Sequence, residues 1–259
     1  MPSAIQEAVS SVHFLTMPTA RPRHLRTAVT LQVVLLAAVG VVLRWGPIGW
    51  VAALVSLVVV DVATARLARS YRVVALGPAD VVTLVRLALS CGIVAVVVGS
   101  SAATSARPFA VAVLGAVALA LDWVDGRVAR RTRTASPFGG RFDGEADAFL
   151  LLVLSVPVAA GFGWWVLVVG LARYGFGVAG VVLPWLRAQL HFRYWRKVVT
   201  ATAGIALVVA AADVVPRPLA SAALVVAVAL IGESFGRDIW WLRSHAPVRH
   251  PQPAAGGPA

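Results

Sequence analysis

Four aspartates crowd into one stretch of this chain, DWVDGRVARRTRTASPFGGRFDGEAD, which runs from position 122 to 147. Asp122 and Asp125 stand three residues apart, and Asp143 and Asp147 four apart. On a helix either spacing puts both carboxylates on one face. Two helices that each present such a pair make an oxygen cage for a hard divalent cation. Clustered carboxylates repel one another unless cations neutralise them. All-oxygen ligation favours Mg²⁺ or Mn²⁺. None of the five histidines falls in the segment, which argues against an iron or zinc site. Glu145 lies off the Asp143/Asp147 face and stays outside the candidate set.

The elements that must position these carboxylates are greasy. Of 259 residues, 59% are hydrophobic, more than a water-soluble domain carries, so an integral membrane protein is expected. A charge inside such a chain is expensive and usually functional. Long Val/Leu/Ala runs without strand-like alternation predict helices rather than a barrel. A span needs roughly 20 apolar residues. Eight candidates cover 27–43, 48–65, 79–98, 108–124, 142–160, 163–186, 198–212 and 218–235. Gly46-Pro47 and Gly161-Phe162-Gly163 read as turns. The fold class is therefore all-α, a polytopic transmembrane bundle.

The net charge of +12 reports topology and anionic headgroups, and no nucleic-acid partner is expected. Arginines and lysines gather before the first span and after the second, fourth, sixth and eighth. The opposite side holds only Arg44, Arg107 and Arg217. The positive-inside rule then puts both termini and the acidic segment in the cytoplasm, for a multi-pass protein of the cell membrane. Residues 1–26 read as a disordered basic arm and 245–259 as a disordered tail. A cleaved leader is not expected, because no apolar stretch precedes the arginine cluster, and Met17 is an alternative start. The single Cys91, in an apolar run, reads as packing. Asp61, Asp80, Asp213 and Asp238 read as boundary charges near span ends. Trp45, Trp50, Trp164, Trp165, Trp240 and Trp241 read as interface anchors.

The whole acidic segment fits D-x2-D-G-x2-A-R-x8-G-x3-D-x3-D through Asp122, Asp125, Gly126, Ala129, Arg130, Gly139, Asp143 and Asp147. In this it resembles the CDP-alcohol phosphatidyltransferase family. The resemblance implies a six-helix core over 78–236, with the motif bridging its second and third helices. The first two spans, within 27–65, would be an added hairpin that packs on the core or on a partner subunit. It implies Asp122, Asp125, Asp143 and Asp147 as ligands of Mg²⁺ or Mn²⁺, with two ions expected, and Asp147 also as the general base. Asp122, Gly126, Ala129, Arg130 and Gly139 would shape the CDP site. Small residues let a nucleotide approach the backbone, and Arg130 could meet a phosphate as a charged fork. A homodimer is implied as well.

Outside the motif, the stretch Gly77–Leu87 is similar to the family's loose PN-x-x-T-x-x-R-L start, with Asp80 at or beside the usual asparagine. Arg86 there either snorkels to the interface or meets a phosphate. Lys197 and Thr200 match a G-K-x-x-T stretch in which Arg196 replaces the glycine. Arg173 lies inside a span and needs an acidic group or a phosphate as partner. Arg86, Arg173, Arg193, Arg196, Lys197 and Thr200 are the candidates for an acceptor or phosphate pocket, and they suit a phosphorylated alcohol. The expected reaction moves a phosphatidyl group from a CDP-linked lipid to an alcohol and releases CMP. Transfer from a CDP-linked small alcohol to a lipid is the alternative. A divalent-cation transporter is the rival from another class, but it should spread its acids across mid-membrane on several helices.

Overall fold

A computed structural model describes residues 22–73, 75–99, 106–132, 136–183, 185 and 194–244. Among them the chain forms α1 (Pro22–Val42), α2 (Pro47–Ser70), α3 (Pro78–Gly99), α4 (Ala106–Thr132), α5 (Pro137–Phe162), α6 (Leu167–Val182), α7 (Tyr194–Ala212) and α8 (Arg217–Ser244). A single 3₁₀ turn, Trp164–Val166, leads into α6. No strand occurs among the described residues. Seven helices are long and apolar enough to cross a membrane, and α1 contributes a shorter apolar stretch, Thr27–Val42. The architecture is a polytopic helical bundle. The expected disorder of the tail, and most of the N-terminal arm, fall outside the described residues.

Proline and glycine punctuate the helices where local chemistry requires it. Pro47, at the start of α2, lacks a donor that the first turn could not use. At the other end of α5, Gly163 turns the chain with φ of 108°, a conformation that strains any residue with a Cβ. Three helices run well past their expected ends. α2 continues to Ser70, α4 to Thr132 and α8 to Ser244. Charged residues ended the apolar runs there but not the backbone hydrogen bonding, because Arg and Lys are good helix formers.

α3 is the hub. It packs against α1, α2, α4 and α5, and most of its residues are buried. One apolar cluster joins α3 through α8, with Ile93, Leu154, Leu207 and Leu224 fully buried. A second joins the first two helices to α3 and the start of α5, where Phe138 and Phe142 stack. The added hairpin thus packs on the core of its own chain. At one end of this contact a Cβ on Gly99 would lie 2.4 Å from the Gly49 Cα, so the two backbones nearly touch. Close approach through small residues is a common way for helices to pack in lipid. Farther along, the Gln32 side chain donates to the Leu84 carbonyl oxygen at 3.3 Å. Trp45 and Trp50 meet edge to face at 5.2 Å and pack on Gly40, so they plug the α1–α2 turn. Trp164 is exposed, as an interface anchor would be.

α5 and α6 approach as closely. A Cβ on Gly170 would sit 2.5 Å from the Leu152 Cα and 2.6 Å from the Ser155 Oγ. Gly170→Ala is therefore expected to destabilise the bundle by about 1–3 kcal/mol, the usual range for overpacking. Thermal unfolding of the purified variant checks this; an unchanged midpoint would contradict the packing.

Candidate active site

The motif aspartates reach their places because α4 and α5 start and run in a fixed register. Ser136 caps α5, its Oγ accepting from the Gly139 N–H at 2.9 Å, and Pro137 follows at the first helical position. That start puts Asp143 and Asp147 one turn apart on the face toward α3 and α4. Gly139 has a packing reason to be glycine. A Cβ there would meet the Ser136 Oγ at 3.2 Å and the Asp80 Oδ1 at 3.3 Å. Asp80 is more than a boundary charge. It is buried, and its Oδ2 accepts from the Gly77 N–H at 2.7 Å, which secures the entry to α3.

Two turns into α3, Arg86 carries its guanidinium into the acidic cluster. Its Nη1 lies 3.1 Å from Asp122 Oδ1 and 2.7 Å from Asp143 Oδ1, and its Nη2 pairs with Asp147 Oδ1. Arg86 is only 1% exposed, so it neither snorkels to the interface nor lines an open pocket. A buried guanidinium needs carboxylates at hydrogen-bonding distance, and three are supplied by two neighbouring helices. Lys197 on α7 adds a longer contact, Nζ to Asp143 Oδ2 at 3.6 Å.

One carboxylate oxygen from each of Asp122, Asp143 and Asp147 lies within 4.8 Å of the others. The donors of the trio are all hard oxygens, the kind that Mg²⁺ and Mn²⁺ take. The residues present thus fit a divalent metal. Asp125 belongs to α4, but its side chain, like those of Ala129 and Arg130, lies outside the described residues. Gly126 is on the same helix, partly exposed.

Beside the cluster opens a cavity of about 390 Å³ between α5, α6, α7 and α8. Asp143 and Asp147 form one wall. Arg141, Arg173, Arg196, Lys197 and Thr200 bring donors to the others. Of the residues expected in a phosphate or acceptor pocket, Arg173, Arg196, Lys197 and Thr200 come together here. Arg86 does not line it, and Arg193 lies outside the described residues. Two carboxylates that the sequence reading set aside belong to the same region. Glu145 pairs with Arg173 at 2.9 Å and with Arg141 at 3.1 Å. Asp238 lines the cavity, buried, and faces Arg196 at 3.7 Å. The i, i+4 spacing of Arg141 and Glu145 was a usable signal for the first. Only tertiary packing reveals the second.

Breaking a buried ion pair from one side leaves an uncompensated charge and costs about 3–5 kcal/mol. Arg86→Gln is therefore expected to lower stability by that order at neutral pH, leaving three clustered carboxylates without their central cation. Unfolding measurements in detergent, with chelator present, check it; a change under about 1 kcal/mol, the scale of an exposed ion pair, would contradict the arrangement.

The family model described as CDP-alcohol phosphatidyltransferase matches residues 76–232, more than half of the chain. That segment holds all four motif aspartates and most of the cavity wall. Searches of curated proteins and of solved structures gave no match. A membrane bundle in which carboxylates from adjacent helices converge beside a polar cavity is what a membrane-embedded transferase of nucleotide-linked alcohols requires. The chain belongs to the CDP-alcohol phosphatidyltransferase family, membrane transferases that move a phosphatidyl group from a CDP-alcohol to an alcohol.

Proposed function

We propose that this protein transfers a phosphatidyl group from a CDP-linked lipid of the CDP-diacylglycerol type to a small phosphorylated alcohol, releasing CMP, in phospholipid synthesis. One observation carries the reading: Asp143 and Asp147 belong to the carboxylate cluster on one side and line the 390 Å³ cavity on the other. A nucleotide diphosphate held at the cluster and an alcohol held in the cavity would meet at these two residues.

Asp122, Asp125, Asp143 and Asp147 would hold Mg²⁺ or Mn²⁺, two ions with the fourth aspartate included, supplying charge neutralisation for the pyrophosphate. Gly126, Ala129, Arg130 and Gly139 would form the CDP side of the site. Asp147 is the base. Its carboxylate takes the proton of the acceptor hydroxyl as that oxygen attacks the phosphorus bearing the lipid. The new phosphodiester bond forms as the bond to CMP breaks. Arg86 pairs with Asp147 and keeps its carboxylate in place, while Lys197, on the cavity side, lies 3.6 Å from Asp143.

The cavity's character supports a phosphorylated acceptor over a plain one. Arg141, Arg173, Arg196 and Lys197 line it, and Arg pairs well with phosphate oxygens. The reverse linkage, a CDP-linked small alcohol with a lipid acceptor, is the alternative; the four basic side chains, set against Asp143, Asp147 and Asp238 in the same lining, favour a phosphorylated ligand in the cavity. The cytoplasmic placement of the site and of both termini follows from arginine asymmetry. The core over 78–236 as the catalytic unit and the homodimer are parts of this proposal that rest on the family resemblance.

Purified protein in vesicles containing CDP-diacylglycerol and Mn²⁺ should release CMP only when a phosphorylated alcohol is added. No acceptor-dependent CMP with any CDP-lipid or CDP-alcohol would contradict the proposal. Asp147→Asn should cut turnover by roughly 10²-fold or more, the usual contribution of a general base. Turnover within a few-fold of the parent would remove Asp147 from that role.

A further inference from the structure

Two arginines that line the cavity, Arg173 and Arg196, are each paired with a carboxylate outside the motif. Arg173 meets Glu145 edge-on, Nη2 to Oε1 at 2.9 Å and Nε to Oε2 at 3.5 Å. This leaves Nη1 as the nitrogen that Glu145 does not engage. The guanidinium passes close over Gly144, where a Cβ would lie 3.3 Å from Arg173 Nη2. In the same lining, Arg196 Nε lies 3.7 Å from Asp238 Oδ2, and Asp238 is 5% exposed. An unrestrained arginine has many rotamers, and fixing one costs free energy that a bound ligand must otherwise supply. Four cations around one cavity also repel one another.

We propose that Glu145 and Asp238 are positioning residues that hold Arg173 and Arg196 as a preformed receptor for the phosphate of the acceptor. The inference rests on the phosphorylated-acceptor reading above and adds to it two residues on α5 and α8. The opposite effect is the natural alternative. If the acids merely offset positive charge, removing them makes the cavity more cationic and tightens binding of an anion. Positioning and charge offset therefore predict opposite signs.

The test uses the full chain in vesicles with CDP-diacylglycerol and Mn²⁺, with glycerol phosphate and inositol phosphate as acceptors. Glu145→Gln and Asp238→Asn should each raise the acceptor KM about tenfold, the effect of weakening one charge-assisted contact. The KM for the CDP-lipid should not move, and kcat should stay within about twofold, because the reacting groups are untouched. Glu145→Asp, which keeps the charge on a shorter arm, should fall between parent and Glu145→Gln. Glu145 is partly exposed, so its variants decide the matter even where Asp238→Asn fails to fold. An acceptor KM that is unchanged or lower in Glu145→Gln, with the parent active on a phosphorylated acceptor, overturns this inference alone. A parent that uses only unphosphorylated alcohols overturns the acceptor reading and this inference with it.

Discussion

The site depends on one buried cation. Arg86 holds carboxylates from α4 and α5 at hydrogen-bonding distance from a single guanidinium. Without it, three like charges would sit within 4.8 Å of one another in a lipid-embedded bundle. Desolvating ions costs several kcal/mol each, so the arrangement persists only where the geometry is good. Here the planar fork of arginine meets oxygens on two helices at once, which a lysine could not do in the same way. The cluster still carries more negative than positive charge, a surplus that a divalent ion would offset.

The rest of the fold serves that contact. α3 must lie between the added hairpin and the motif helices, and it does so by packing on both. Asp80 lies close against Gly139, so the start of the helix that bears Arg86 packs beside the start of the helix that bears Asp143 and Asp147. Gly170 lets α6 close onto α5, which brings Arg173 over Gly144. The same α5 therefore presents the carboxylate cluster to one side and the cationic cavity to the other.

Much of this was legible in the residues themselves. The spacing of the aspartates gave two helix faces, and Gly-Pro and Gly-x-Gly breaks marked the turns. Arg86 was not legible in the same way. An arginine in an apolar run has two homes, the interface or a buried partner, and its partners lie on two other helices. Asp238 was hidden for the complementary reason. An acid near arginines at a helix end looks solvated until a helix distant in sequence is known to cover it. The lengths of α2, α4 and α8 were underestimated because hydropathy reports where lipid ends, not where a helix ends.

Carboxylates from two helices converge around Arg86, and in the proposed function they hold a divalent ion. The most direct measurement is an experimental structure of the protein with Mn²⁺, with the ion located by anomalous scattering. The account predicts density bonded to oxygens of Asp122, Asp143 and Asp147 at the edge of the cavity. Mn²⁺ bound elsewhere, or no ion at a saturating concentration, would contradict it.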